Sequence, residues 1–206
     1  MGYNSFFSGK LQLSRPLTKK EKSYINNFSR SRRMKRDVNK LMELYKGKFG
    51  YPFATEKTAE SIYGVDGEYF VPDDSNRGQE EDESIIDYGT PPGQFVPGTF
   101  NPEKLEEQNE LRICEGSCQP GSWCQWVITE KGDELAWDEG EKFYNYIEWL
   151  SYLIAHFFER WDVKLNGIIY WEGEEPEDKG KIEVIESEVN AYFGIDIPPI
   201  PNNWFK

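Results

Sequence analysis

The sequence has almost none of the residue that most often moves protons near neutral pH. His156 is its only histidine, and an unperturbed imidazole titrates between pH 5 and 8 as no other side chain does. Nucleophilic catalysis through serine or cysteine needs a base beside the nucleophile, so this scarcity argues against it. No G-x-S-x-G elbow is present either. Cysteines number three, too few for the disulfide lattice of a small secreted domain. The start, Met1-Gly2-Tyr3-Asn4-Ser5, lacks a basic segment leading into an apolar run. Gly2 resembles a myristoylation start, but Phe6 stands where serine or threonine is required. No apolar run approaches the ~18 residues of a membrane-spanning helix. A reducing, cytoplasmic setting without a membrane is therefore expected. Phosphate loops of the G-x-x-x-x-G-K-[ST] or G-x-G-x-x-G kind are missing as well.

Aromatic residues are abundant: 7 Trp, 12 Tyr and 13 Phe offset an apolar fraction of only 37%. Each aromatic buries a large area, so the core is expected to be aromatic rather than aliphatic. Charge is unevenly spread. Residues 1–50 carry 13 Lys and Arg against 3 Asp and Glu, whereas the rest of the chain carries 11 against 34. A basic arm on an acidic body can mark a nucleic-acid-binding protein. The preferred reading is that the basic segment packs against acidic groups of the same chain.

The pattern predicts one α+β domain over residues 1–206, with residues 47–121 as a long loop-rich insertion. Leu11-Gln12-Leu13 alternates as a strand does. Thr18 with Glu21 forms a capping box for a helix at about 19–31, and a second helix covers about 37–45. The insertion is rich in Gly, Pro and acidic residues, with Tyr63, Tyr69, Phe70, Tyr88, Phe95 and Phe100 scattered through it and a short helix expected at about 102–110. Loops this long usually carry function or disorder. Trp123–Thr129 and Glu134–Trp137 read as a hairpin around Lys131-Gly132-Asp133. Asp138 with Glu141 reads as the cap of a long helix running to Trp161. Its apolar stripe is Phe143, Tyr146, Ile147, Leu150, Leu153, Ile154, Phe157, Phe158 and Trp161. Strands follow at 164–172, 181–186 and 188–193. This order predicts an antiparallel sheet of about five to six strands with helices on one face.

Several strings then resemble a known group. They are Trp123-Cys124-Gln125-Trp126, Leu135-Ala136-Trp137-Asp138, and the run Glu141-Lys142-Phe143-Tyr144-Asn145-Tyr146-Ile147-Glu148-Trp149-Leu150. Leu165-Asn166-Gly167, Trp171-Glu172-Gly173-Glu174 and Asp178-Lys179-Gly180-Lys181-Ile182 continue the pattern. Gly2-Tyr3-Asn4, Pro16-Leu17 and Phe28-Ser29-Arg30-Ser31-Arg32-Arg33-Met34 fit at the other end. Together they look like an uncharacterised family of small bacterial and bacteriophage proteins. The resemblance covers both ends of the chain and omits residues 47–121. It implies a compact domain and a bacterial or phage setting, and it brings no catalytic residue.

Three constellations could carry chemistry. Cys114, Cys118 and Cys124, with His156, supply the donor types of a zinc site, but C-x3-C-x5-C lacks the tight second pair of common zinc modules. Glu172, Glu174 and Asp178 cluster at a strand end, where carboxylates could serve as acid and base or hold a divalent cation. A solvated hairpin turn is the preferred reading there. Arg30, Arg32, Arg33, Lys35 and Arg36 form the densest basic run and are the candidate ligand-binding residues, suited to phosphate oxygens, with Tyr24 and Phe28 near enough in sequence to stack on bases. No catalytic residue and no cofactor are expected. The leading expectation is a non-catalytic binding protein, a phage or mobile-element accessory factor that docks on a host or bacterial protein, with a defence component as the specific case. The alternatives are a binder or sponge for an anionic nucleotide, and a metal-dependent hydrolase using the acidic cluster.

Overall fold

A computed structural model describes residues 3–72, 81–94 and 118–196. In chain order the elements are β1 (Ser5–Leu13), α1 (Lys19–Arg30), β2 (Lys35–Arg36), α2 (Val38–Tyr45), α3 (Ala59–Tyr63), β3 (Ile85–Asp87), β4 (Trp126–Ile128), β5 (Glu134–Trp137), α4 (Tyr146–Leu153), β6 (Leu165–Gly173), β7 (Lys179–Ile185) and β8 (Glu188–Phe193). The fold is α+β. The expected helix at 102–110 lies outside the described residues. The chain divides into two compact units, one of residues 1–19 with 125–206 and one of residues 20–124.

The first unit is a six-stranded antiparallel sheet in the order β4-β5-β1-β6-β7-β8. Alternation along β1 explains its place near the centre. Phe7, Leu11 and Leu13 are buried while Lys10 and Gln12 face water. Gly9 sits between them with φ +98°, and a Cβ there would stand 2.4 Å from the Ile168 carbonyl oxygen. Only glycine lets the two strands approach so closely at that φ. Phe7 lies directly opposite Trp171 and meets the rings of Tyr146 at 4.8 Å, Trp137 at 5.3 Å, Trp126 at 5.5 Å and Phe143 at 5.7 Å. Aromatic rings thus cluster around Phe7, but Leu11, Leu135, Leu150, Leu165, Ile169 and Ile182 are buried as completely, so the core is mixed where the composition led one to expect aromatic residues in place of aliphatic ones.

The helix over this core begins later than the sequence pattern indicates. Asp138 does not cap it. Its N–H instead extends the hairpin to the Gln125 carbonyl at 3.0 Å, and its carboxylate accepts from Gly140 N–H at 2.9 Å. Glu139, Lys142 and Asn145 all take positive φ, which prevents a continuous helix from 138. The non-helical segment places Phe143 against Trp126 at 5.2 Å, and the Trp126 indole donates to the Tyr146 carbonyl at 2.8 Å. From Tyr146 the chain is α-helical to Leu153, widens into a π turn over Ile154–Phe158, and tightens to 3₁₀ over Glu159–Trp161. Leu150, Leu153, Ile154, Phe157, Phe158 and Trp161 of the expected stripe are buried, joined by Trp149 and Tyr152. Tyr146 and Ile147 are only half-buried.

The second unit contains the expected helix α2, and the described part of residues 47–121 carries α3 and β3, more structure than an irregular insertion suggests. Asp37 caps α2 by accepting from the backbone N–H groups of Asn39 and Lys40. Thr58 and Ser61 form a reciprocal capping box on α3. Leu41, Ile62, Tyr63 and Phe70 make a small core, with Val38, Met42, Tyr45 and Ala54 against it.

Candidate functional site

The basic run is built into the second unit. Arg33 and Arg36 are only 2% and 3% exposed. The Arg33 guanidinium lies 4.4 Å from the Phe28 ring and donates to the Phe70 carbonyl and the Ser31 hydroxyl. Arg36 donates to Asp82 at 2.6 Å and to the Ser84 hydroxyl at 2.7 Å, with Phe70 4.8 Å away. Lys35 pairs with Asp66 at 3.1 Å and donates to the Gln94 carbonyl at 2.8 Å. Arg32 is half-buried and stacks on Tyr88 at 4.1 Å, and Arg30 alone of the five is exposed. The preferred sequence reading, cations meeting acids of the same chain, describes Lys35 and Arg36. Burial works to raise the pKa of Asp82, but hydrogen bonds from Ser84 and Arg36 outweigh it and hold the carboxyl below its ordinary range. The Thr90 hydroxyl and Gly89 N–H lower Asp87 likewise. Tyr24, a candidate stacking residue, is buried; its hydroxyl donates to the Tyr69 carbonyl at 2.9 Å, and burial pushes its pKa well up.

The acidic cluster holds the other end of its own unit. Asp178 accepts from the Tyr3 hydroxyl at 2.6 Å and from the Trp171 indole at 3.3 Å. Glu174 accepts from the Asn4 backbone N–H at 3.0 Å and the Asn4 side-chain amide at 2.9 Å. Glu172 lies within β6 opposite Phe6 and Lys179. Among the described residues no group of three or more His, Cys, Asp and Glu is arranged to hold a metal ion. The β6–β7 turn therefore functions as a clamp on Tyr3 and Asn4, the residues that lead into β1.

The cysteines do not form a zinc set among the described residues. Cys118 is held in a disulfide, so its sulfur is not a thiolate ligand. Cys124 is free and buried, 3.6 Å from the Ser29 hydroxyl. Cys114 lies outside the described residues. His156 is half-buried in the π turn and stacks on Tyr152 at 4.1 Å. No helix among the described residues is long and apolar enough to cross a membrane.

What sequence reasoning missed is an exposed aromatic stretch in the second unit. Leu44, Phe49 and Phe53 are 45%, 38% and 40% exposed. They sit in the run from the end of α2 through Lys46-Gly47-Lys48-Phe49-Gly50-Tyr51-Pro52-Phe53, and Lys46, Lys48 and Lys57 are exposed beside them. Lys46 and Phe49 both take left-handed backbone, φ 51° and 60°. A bulky aromatic in that region is strained. The strain is held from both sides: Val71 N–H donates to the Phe49 carbonyl at 2.6 Å, and Tyr51 N–H donates to the Ile62 carbonyl at 2.6 Å. Edge contacts from Tyr45 to Phe49 (5.9 Å) and from Tyr51 to Phe53 (6.3 Å) steady the exposed rings. The glycines flanking Lys48-Phe49 were the available signal, since they mark a tight turn.

No family model, curated protein or solved structure matches this chain. The motif resemblance drawn above is therefore left without a matched relative, and its function is read from its own residues.

Proposed function

We propose that this chain is a non-catalytic binding protein that docks on another protein through the aromatic turn spanning Leu44 to Phe53. One observation carries the reading: strained, hydrogen-bonded backbone holds Phe49 toward solvent. Clustered aromatic anchors framed by polar groups are the usual energetic centre of a protein interface. Exposed Lys46, Lys48 and Lys57 together with Glu43, Glu56 and Glu60 give the stretch a mixed-charge rim, which suits a partner with an apolar pocket in a polar surround. The groups that looked reactive in sequence support the same conclusion. Arg33, Lys35 and Arg36 are engaged within their unit, and Glu174 and Asp178 are engaged by Asn4 and Tyr3. The resemblance to bacterial and phage proteins supports a host-cell partner, with a defence component as the specific case and the host cytoplasm as the place. The test is affinity capture from host lysate with quantitative mass spectrometry, run in parallel on wild type and on Phe49→Ser/Phe53→Ser. A protein recovered at near-stoichiometric amount by wild type and lost from the variant is the expected result. Equal recovery by both would remove the reading.

A further inference from the structure

Strand β8 has a neighbour on one side only among the described residues. It follows β7 through Glu186 and Ser187, both left-handed at φ 50° and 72°, as in the two-residue hairpin turns that suit strand twist. The register runs from Ile185 opposite Glu188 to Gly180 opposite Phe193, and Gly194 N–H donates to the Lys179 carbonyl at 2.8 Å. In an antiparallel ladder this alternation turns the backbone groups of Glu188, Asn190 and Tyr192 toward β7 and those of Val189, Ala191 and Phe193 away from it. Exposed edges are normally blunted by lysine, proline or a bulge. The stretch Val189–Phe193 has no charge and no proline, its register is unbroken, and Tyr192 and Phe193 are 41% and 66% exposed.

We propose that β8 pairs antiparallel with β8 of a second copy of this chain, centred on Ala191, joining two six-stranded sheets across a twofold axis. A twofold interface must be self-complementary, and this register is. Val189 faces Phe193 of the other copy on the apolar side, and Asn190 faces Tyr192 on the other. Glu188, the strand's one charge, falls opposite Gly194, so like charges do not meet within the strand. Two short strands bury less than the ~1,600 Å² of a standard interface, so the dimer forms reversibly and at high concentration.

Sedimentation of the full chain from low micromolar to near-millimolar concentration tests this. Expected is a shift from one chain's mass toward twice that mass, abolished by Ala191→Pro, which removes only an outward N–H, and by Phe193→Lys. Should Ala191→Pro fail to fold, two cysteine variants decide. In a hydrogen-bonded pair the Cα atoms lie ~5.5 Å apart, within reach of a disulfide. Oxidised Ala191→Cys should therefore cross-link into a dimer while Val189→Cys does not. The proposal is overturned by a monomer throughout the concentration range, by a dimer that survives both edge substitutions, or by equal cross-linking at 189 and 191.

Discussion

The Tyr3 hydroxyl lies 2.6 Å from the Asp178 carboxylate, across 175 positions of sequence. The second oxygen of Asp178 takes the Trp171 indole N–H, and Glu175 N–H donates to the Tyr3 oxygen. Asp178 thus locks the lead into β1 onto the β6–β7 turn. The hydrogen bond to Asp178 raises the Tyr3 pKa, with burial adding to it. A raised tyrosine pKa gives stability that is fully present below the unfolded value near ~10 and is lost as pH rises through the folded value. Tyr3→Phe should remove that alkaline dependence and cost about 1 kcal/mol in denaturant unfolding, the usual worth of a part-exposed hydrogen bond.

Acid unfolding should report the second unit. Asp82 and Asp87 both have lowered pKa values. Their contribution is present above the unfolded carboxylate value of ~4 and disappears as pH falls through the folded values. Arg36→Met should flatten this acid limb, because it removes the guanidinium that holds Asp82 down. Arg36 is buried and Asp82 partly exposed, so the loss at neutral pH should fall at the lower end of the ~3–5 kcal/mol for breaking a buried pair. Thermal unfolding followed from pH 7 to pH 3 measures both effects.

The core of the first unit should be intolerant of change in either direction. Phe7→Ala should cost about 3–5 kcal/mol, as large-to-small core substitutions of phenylalanine do. Gly180→Ala should be comparably harmful for the opposite reason. Its Cβ would stand 2.2 Å from the Tyr192 carbonyl oxygen and 2.4 Å from the Trp171 ring, and overpacked cores lose stability by ~1–3 kcal/mol or more. Near-ultraviolet circular dichroism of the tryptophans reads both variants.

The hairpins were legible because their signals are local. Alternation in β1 and the Lys131-Gly132-Asp133 turn specify strands without distant help. The start of α4 was not legible, because a capping pattern at Asp138 and Glu141 lost to a tertiary demand: Phe143 had to reach Trp126. The basic run was read correctly in sign, and its internal pairing was the preferred reading. Which acids it meets was unreadable, since Asp66 and Asp82 lie far from Lys35 and Arg36 in sequence. For the same reason the partners of Glu174 and Asp178, at the opposite end of the chain, left no local trace. The exposure of Phe49 depends on a left-handed backbone that only its flanking glycines hinted at.

An arginine-centred nucleotide site and an aromatic docking turn differ in what substitution does. Arg33→Ala should lower the melting temperature with or without any nucleotide, because Arg33 is buried against Phe28 and Phe70. A nucleotide panel should give no thermal shift in wild type.

The most direct measurement is a calorimetric titration of the captured partner into three proteins: wild type, Phe49→Ser/Phe53→Ser, and Arg30→Ala/Arg32→Ala. Each tenfold in affinity is ~1.4 kcal/mol, and truncating an aromatic anchor commonly costs at least that. The aromatic variant should therefore bind about 100-fold more weakly and the arginine variant as wild type does. Undiminished binding by the aromatic variant, or loss of binding in the arginine variant alone, would contradict docking through the Leu44–Phe53 turn.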